Sequence, residues 1–428
     1  MFKVLVVAYY FPPMGLSGVQ RTLKFVKYMQ NYNWKPTVIT SGSVAYFAHD
    51  SYLNNELNNL NVDIIRIGGT KEPNSLLAKF GTIKIPNEFI RSILDKISQT
   101  FFIPDNKISW SKKAAKKVDE ILSNEQFDAL FVTSPPFSSF YFLSQLKKKH
   151  NIPLFADYRD LWFGSYFAFY PTPFHKLSHK KKEYLSLKAA DRILVTNRKI
   201  KEKLIKTYPF LTFDDVVIIS HGFDKEDFDK ISAQPKPSNK MVLMYSGIFL
   251  VYSTPKYFLK AFKKITIERP DIASNIELHF VGFLRKENQN LIRNLKLQPF
   301  IKDHGYVNHD ESVAKLKSAD VLWFMVGKRR NIDAILPGKV YEYLAAQKPV
   351  IACVPDGAAK MAIEESGAGF TCKPDDIEDI KNTILKVYDL YKKDQLPKPS
   401  EEFLSKFRRD LLSETLTKQF QLKLRAEV

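Results

Sequence analysis

Two stretches of the chain carry side chains whose types and spacing suit chemistry on an anionic, hydroxyl-rich ligand. The first, "DAILPGKVYEYLAAQKPVIACV", runs from Asp333 to Val354. Pro337 and Gly338 form a turn that opens a helix, and Lys339 and Glu342 follow in its first turn. A lysine there can meet a phosphate held at the positive helix terminus, and a carboxylate one turn on can accept two hydrogen bonds from a ribose diol. Without a ligand, Glu342 is equally a first-turn acid that complements the helix dipole. The second stretch, "PLFADYRDLW", sets Asp157, Arg159 and Asp160 at the carboxyl end of a predicted strand, just before Trp162. Three charges there are costly to bury without a purpose. They either face a ligand or form an internal ion pair between Arg159 and one aspartate.

Two weaker signals accompany them. In "FPPMGLSGVQRTLKF", Phe11 to Phe25, Gly15 and Gly18 precede a helix whose amides could approach an anion, although a plain strand-to-helix turn reads the same way. Val19, Leu23 and Val26 share one face of that helix, with Arg21, Lys24 and Lys27 on the other. In "TSPPFSS", Thr133 to Ser139, prolines stiffen a loop whose hydroxyls could meet a polar ligand.

The elements that must position these groups are strands read as continuous apolar runs alternating with helix-periodic segments. "KVLVVAYY", "KPTVITS", "VDIIRIG", "DALFVTS", "PLFADY", "RILVTN" and "VVIIS" fill the first half; "MVLMYSG", "ELHFVG", "IKDHGYV", "VLWFMV" and "KPVIACV" fill the second. Such runs belong to parallel sheets covered on both faces, so the fold class is α/β with two doubly wound domains. Their expected bounds are residues 1–230, a linker at 231–240, residues 241–400, and a C-terminal helix at 401–428 that caps the second domain or crosses back to the first. Ligands in such sheets bind at the carboxyl ends of the strands.

At 428 residues, with 45% apolar and 26% charged residues, the composition is that of a soluble globular protein. No stretch reaches the roughly 20 apolar residues a membrane-spanning helix needs, and a cytoplasmic location is expected. Cys353 and Cys372 have no paired spacing and read as inert thiols. The net charge of +19 calls for an anionic partner, or else marks a lysine-rich solvated surface. Nucleic acid is disfavoured because no recognised module accompanies the charge.

Taken in order, "YYFPPMGLSGVQRTLKFVKYM", "ISHGFDKEDF", "YSGIF", "HGYVNHDESVAKLKSADVLW" and "PGKVYEYLAAQKPVIA" resemble the GT-B glycosyltransferases of the glycosyltransferase family 4 type, from Met1 to about Lys386. The resemblance implies two Rossmann-like domains facing each other across a cleft. It also implies retaining, metal-independent transfer of a sugar from a nucleoside-diphosphate donor, with no cofactor and with a UDP-sugar favoured. Glu342 would then hold the ribose, and Gly305, Tyr306 and Val307 would flank the base. Ser246, Gly247 and Lys339 would lie at the diphosphate, beside Asp333, Pro337 and Gly338. Gly15 and Gly18 would face the donor, and "HGFD", His221 to Asp224, would close the first domain.

The sequence also departs from that pattern. The family's first Glu, eight residues before Glu342, is Ala334, with Asp333 beside it as a substitute. The cation expected after "YSG" is displaced to Lys256, and no histidine stands in "PLFADYRDLW". Asp157 or Asp160 is therefore expected at the reacting sugar or the acceptor hydroxyl, with Arg159 orienting them. "PDDIED" and "FDD" read as solvated acids rather than a metal site. From His175 to Lys206 eleven Lys or Arg face three acids, and Leu76 to Lys117 interleaves Phe, Ile and Leu with lysines. Both patterns suit either a core-packed helix with a basic outer face or an anionic leaflet, and the latter fits a lipid-linked or glycan acceptor in cell-surface polysaccharide synthesis. A nucleotide-sugar epimerase and a non-catalytic donor-binding membrane subunit are the alternatives.

Overall fold

The computed structural model describes residues 1–68, 88–236, 238–249 and 253–425. The apolar runs are strands, buried because helices cover both faces of each sheet. In the first unit they are β1 (Phe2–Ala8), β2 (Trp34–Ser41), β3 (Asp63–Ile67), β4 (Ala129–Ser134), β5 (Leu154–Tyr158), β6 (Arg192–Val195) and β7 (Val216–Ile218). They form a parallel sheet in the order β3-β2-β1-β4-β5-β6-β7. The second unit holds β8 (Met241–Ser246), β9 (Ile276–Val281), β10 (Ile301–Asp303), β11 (Val321–Met325), β12 (Val350–Cys353) and β13 (Gly369–Cys372). Its order is β10-β9-β8-β11-β12-β13, again parallel. The expected pair of doubly wound α/β sheets is therefore present. β13 had no sequence signal, since "GFTC" is short and only half-buried at the sheet edge.

Strand order reverses beside β1 in the first sheet and beside β8 in the second. These are the switch points where loops diverge and leave a crevice at the strands' carboxyl ends. The loops after β1, β4 and β5 in one unit, and after β8 and β11 in the other, carry most of the residues singled out above.

Contacts divide the chain into Met1–Lys84, Ile90–His221 and Arg409–Val428 in one unit, and Ile85–Phe89 with Gly222–Arg408 in the other. The division at His221 lies ahead of the 231–240 stretch. Lys317 donates to the carbonyls of Phe228 (2.8 Å) and Ile231 (2.7 Å), and His309 meets Asp227 at 3.1 Å, which ties this segment to the second unit. The last helix, Arg409–Arg425, packs in the first unit. Its Phe420 is fully buried against Phe155 (4.5 Å between centroids), Trp34 (5.0 Å) and Phe131 (6.0 Å).

The register between β12 and β13 sets Cys353 opposite Cys372, with sulfurs 3.5 Å apart. The two thiols are free and buried, and neighbours rather than unrelated. The hydrogen bond from Cys372, together with burial, pushes the Cys353 thiol well above its usual range.

Candidate active site

In the first unit the charges at the end of β5 divide into two kinds. Asp157 is fully buried and pairs with Arg21, itself fully buried, whose Nη2 lies 2.8 Å from the carboxylate. Thr133 Oγ1 donates to the same carboxylate at 2.8 Å. Arg21 also donates to the carbonyls of Ser220 (2.7 Å) and Ile219 (2.9 Å), so one guanidinium joins the first helix, β5 and the end of the unit. Arg159 donates to the carbonyls of Ser134 (2.7 Å), Gly18 (2.6 Å) and Pro135 (3.5 Å). The ion pair expected between Arg159 and an aspartate is not formed: Asp157 pairs with Arg21 instead. Arg159 is a brace between the loop after β4 and the helix Ser17–Tyr28.

Asp160 differs from both. It is half-buried, and its carboxylate makes no hydrogen bond among the described residues. Desolvation raises its pKa, opposed by Arg159 and reinforced by Asp157. A carboxylate withdrawn from water and left uncommitted is the one of the three able to turn to a ligand.

The cationic face expected on the first helix is not solvated. Lys24 is 1% exposed and meets Glu56 at 2.7 Å, and Lys27 meets the same carboxylate at 2.9 Å. In the opening loop the left-handed conformation falls on Leu16 (φ 73°), the helix N-cap, and no side chain caps this helix. A Cβ at Gly18 would lie 3.6 Å from Arg159 Nη1, an ordinary contact, so sterics alone would admit an alanine there. Gly15 N donates to Ala48 O at 3.0 Å. In "TSPPFSS" the hydroxyls are committed too: Thr133 and Ser134 bond at Asp157, and Ser138 and Ser139 bond to Ser111.

Sequence reasoning named His221 only as the start of "HGFD" at the end of the first domain, and gave Glu183 no role. Burial holds the His221 imidazole well below its usual pKa, reinforced by Arg21, Arg409 and Arg159, so the ring is neutral beside three cations. Glu183 accepts hydrogen bonds from Tyr158 and, at 2.6 Å, from Tyr208; burial pushes its pKa up to about 7. Glu183 also accepts from Phe163 N at 3.1 Å, and Trp162 N donates to Tyr158 Oη at 2.7 Å. This cluster fixes the segment that follows Asp160.

In the second unit, three consecutive strands, β8, β9 and β10, are each followed within two residues by a glycine in the left-handed region: Gly247 (φ 123°), Gly282 (φ 119°) and Gly305 (φ 66°). A Cβ on Gly247 would come within 2.5 Å of Lys339 Nζ, and one on Gly282 within 2.3 Å of Gly247 O. Gly282 N donates to Gly305 O at 2.6 Å. The strand ends thereby form a flat backbone platform on which Lys339 rests. Its ammonium donates to Ser246 O at 2.7 Å and lies 4.0 Å from the centre of the Tyr245 ring. Tyr343 Oη brackets the same residue, accepting from Ser246 N at 2.7 Å and donating to Ser246 O at 3.1 Å. Desolvation pulls the Lys339 pKa down to about 7, only partly offset by Glu342.

Lys339 opens the helix Lys339–Ala345, with Gly338 as N-cap and Pro337 O accepting from Val340 N at 3.1 Å. Glu342 is half-buried in its first turn, and its carboxylate makes no hydrogen bond among the described residues. Asp333 lies in the short 3-10 turn Ile332–Ala334, held close by Gly357, where a Cβ would come within 2.4 Å of Asp333 O. Gly305 N donates to Asp303 Oδ1 at 3.0 Å, and Tyr306 stacks on Phe283 at 5.1 Å. Val307 follows in the same loop. The structure thus gathers Ser246, Gly247 and Lys339. It also shows a basic run, Lys328, Arg329 and Arg330, just after β11, which only the switch-point position of that strand could have singled out; Lys328 pairs with Asp375 at 2.7 Å. Asp376, in "PDDIED", caps the helix Ile377–Lys392, a structural role rather than that of a free surface acid.

Fold and strand order define a chain of two doubly wound α/β units, and the comparisons with known proteins give its family. Residues 61–227 match the model described as Glycosyltransferase Family 4, and residues 226–399 match Glycosyl transferases group 1. The chain belongs to the glycosyltransferases of the family 4 type, with the GT-B fold. Among solved structures it is similar to a glycosyltransferase from Rickettsia africae ESF-5, at 18% identity and TM-score 0.66, covering 98% of each chain. The sucrose-phosphate synthase of Thermosynechococcus elongatus aligns over 100% of both chains at 13% identity and TM-score 0.69. Anabaena HepE in complex with UDP aligns over 98% of this chain and 100% of its own, at 12% identity and TM-score 0.65. No curated protein matches significantly.

Proposed function

We propose that the protein transfers a sugar, with retention and without a metal ion, from a nucleoside-diphosphate sugar to a lipid-linked or glycan acceptor at the cytoplasmic face of an anionic membrane. The observation that carries this reading is the pairing of a desolvated Lys339 ammonium with an uncommitted Glu342 carboxylate one turn away. A departing nucleoside diphosphate gains negative charge as the glycosidic bond breaks, and a cation in a poorly solvated site stabilises that charge strongly. In this reading Lys339, with the backbone at Ser246 and Gly247, receives the diphosphate, beside Asp333, Pro337 and Gly338. Glu342 binds the ribose diol, and Gly305, Tyr306 and Val307 flank the base. Asp160 faces the reacting sugar or the acceptor hydroxyl, while Asp157 and Arg159 hold its loop in place. A uridine donor is favoured, in keeping with the UDP bound in Anabaena HepE.

Transfer is favoured over epimerisation because both matching family models are those of glycosyltransferases. The test is calorimetric binding of UDP, GDP and ADP, followed by turnover of the matching sugar nucleotides with a membrane-lipid extract. We expect UDP to bind, Glu342→Ala to weaken it about tenfold or more, and labelled sugar to appear in the lipid fraction. A donor converted to its epimer without any acceptor would replace this reading with the epimerase.

A further inference from the structure

The first unit contains a cavity of about 260 Å³ that none of the roles above uses. Tyr10, Phe137, Trp162 and Phe167 supply its aromatic lining, and Ser165 and His179 also border it. Its volume falls just below the range of roughly 300–1,000 Å³ typical of small-molecule sites, so it suits one compact ring.

Two of its polar groups lack partners. Trp162 Nε1 donates to His179 Nδ1 at 2.9 Å. An indole N–H can only donate, so His179 Nδ1 is the acceptor and the neutral ring carries its proton on Nε2. That Nε2–H has no hydrogen-bond partner among the described residues, although His179 is only 6% exposed. Ser165 Oγ, in a residue 7% exposed, likewise has none. Buried polar groups are nearly always satisfied, and two unsatisfied ones lining one cavity point to a ligand that satisfies them.

The charges around the cavity are already committed. Asp105 accepts from Ser138 N (2.8 Å) and Ser138 Oγ (2.7 Å), and Asp95 pairs with Arg91 at 2.6 Å. The Lys107 ammonium lies over the Tyr9 ring, 5.0 Å from its centre. What the cavity offers a newcomer includes an unsatisfied N–H, an unsatisfied hydroxyl and an aromatic wall, bordered by the polar side chains of Ser98, Gln99 and Asn106. A phosphate would find no uncommitted cation there. A sugar ring, with an apolar C–H face and a rim of hydroxyls, matches all three.

We propose that this cavity is a subsite for an uncharged pyranose ring of the acceptor, whose hydroxyls accept from His179 Nε2–H and bond with Ser165 Oγ while its C–H face meets the aromatic wall. The assignment of that ring to an acceptor rests on the glycosyltransferase reading; the sugar-binding claim itself does not.

The experiment uses the full chain, without donor, and the methyl glycosides of glucose, galactose and N-acetylglucosamine, observed by saturation-transfer NMR. At least one glycoside should bind. Ser165→Ala should weaken it roughly three- to tenfold without lowering Tm, since the hydroxyl has no protein bond to lose. Ser165→Val should fill the space and abolish binding. His179→Gln, whose carboxamide can both accept from Trp162 and donate into the cavity, should retain binding that His179→Phe loses. Calorimetric UDP binding should be unchanged in all four variants. If UDP binds and no glycoside of the panel does, the sugar subsite is wrong while the donor reading stands. If a glycoside binds with the variant pattern above and none of UDP, GDP and ADP does, the subsite stands and the donor reading falls. Glycoside binding indifferent to Ser165→Ala and Ser165→Val overturns the subsite.

Discussion

Among single residues, neighbours of one chemical type have different duties. Asp157 neutralises a buried guanidinium, and the Asp160 carboxylate, three residues on, has no hydrogen-bond partner among the described residues. Removing one member of a buried ion pair typically costs about 3–5 kcal/mol, because the other is left charged and unpaired. Asp157→Ala should therefore lower Tm sharply, whereas Asp160→Asn should leave the thermal transition within a degree or two and reduce transfer by about a hundredfold or more. An Asp160→Asn protein with full turnover would remove Asp160 from the reaction. Lys339 gives a pH-dependent test. Its free-state pKa lies near 7, so the charged form that meets a diphosphate is complete below that value and declines above it. UDP affinity measured from pH 6 to 8.5 should be flat at first and then fall toward tenfold per unit, with net proton uptake on binding above pH 7. Lys339→Met should flatten the profile at the weaker limit; an unchanged profile in that variant assigns the titration to another group.

Helices and strands were legible in the sequence to very different degrees. The strands could be read because burial on both faces leaves an unbroken apolar run, as in "KVLVVA" and "VLWFMV". Helix surfaces were harder, since a lysine in an internal ion pair and a lysine in water are the same letter. Arg21 and Lys24 were read as a basic outer face for that reason, and their partners Asp157 and Glu56 lie 136 and 32 residues away. Gly282, which ends "ELHFVG", was not singled out because its positive φ and the closeness of the Gly247 carbonyl, at the end of the neighbouring strand β8, leave no mark in the local sequence.

The membrane question also belongs to a helix. Glu88–Phe101 exposes Ile90 (47%), Leu94 (54%), Ile97 (50%) and Phe101 (76%) along one side. His175 Nε2 meets Thr100 O at 3.0 Å, which links this helix to Pro173–Ala189, where Phe174 (70%) and Leu177 (66%) are exposed beside Lys176, Lys180 and Lys181. The earlier part of the expected basic stretch, from Leu76 to Asn87, lies outside the described residues. Apolar side chains with flanking cations suit insertion into an anionic leaflet. The protein should float with vesicles containing phosphatidylglycerol and not with phosphatidylcholine alone, and Leu94→Glu with Ile97→Glu should abolish flotation. Equal recovery with both lipids would exclude charge-dependent docking.

Over the whole molecule, composition indicated two α/β units and a partner of opposite charge, and no described helix is long and apolar enough to cross a membrane. The order of strands, and hence which loops meet at the switch points, follows from pairings between distant segments that no local pattern encodes. The route of the chain has a consequence for biosynthesis. Phe420 completes the core of a unit whose strands end at Ile218, and the entire second sheet is encoded between them. At about 5–20 residues per second, roughly 10–40 s of translation separate the two. During that interval Trp34, Phe131 and Phe155 lack their partner, so the apolar surface that Phe420 covers stays open until the last helix emerges.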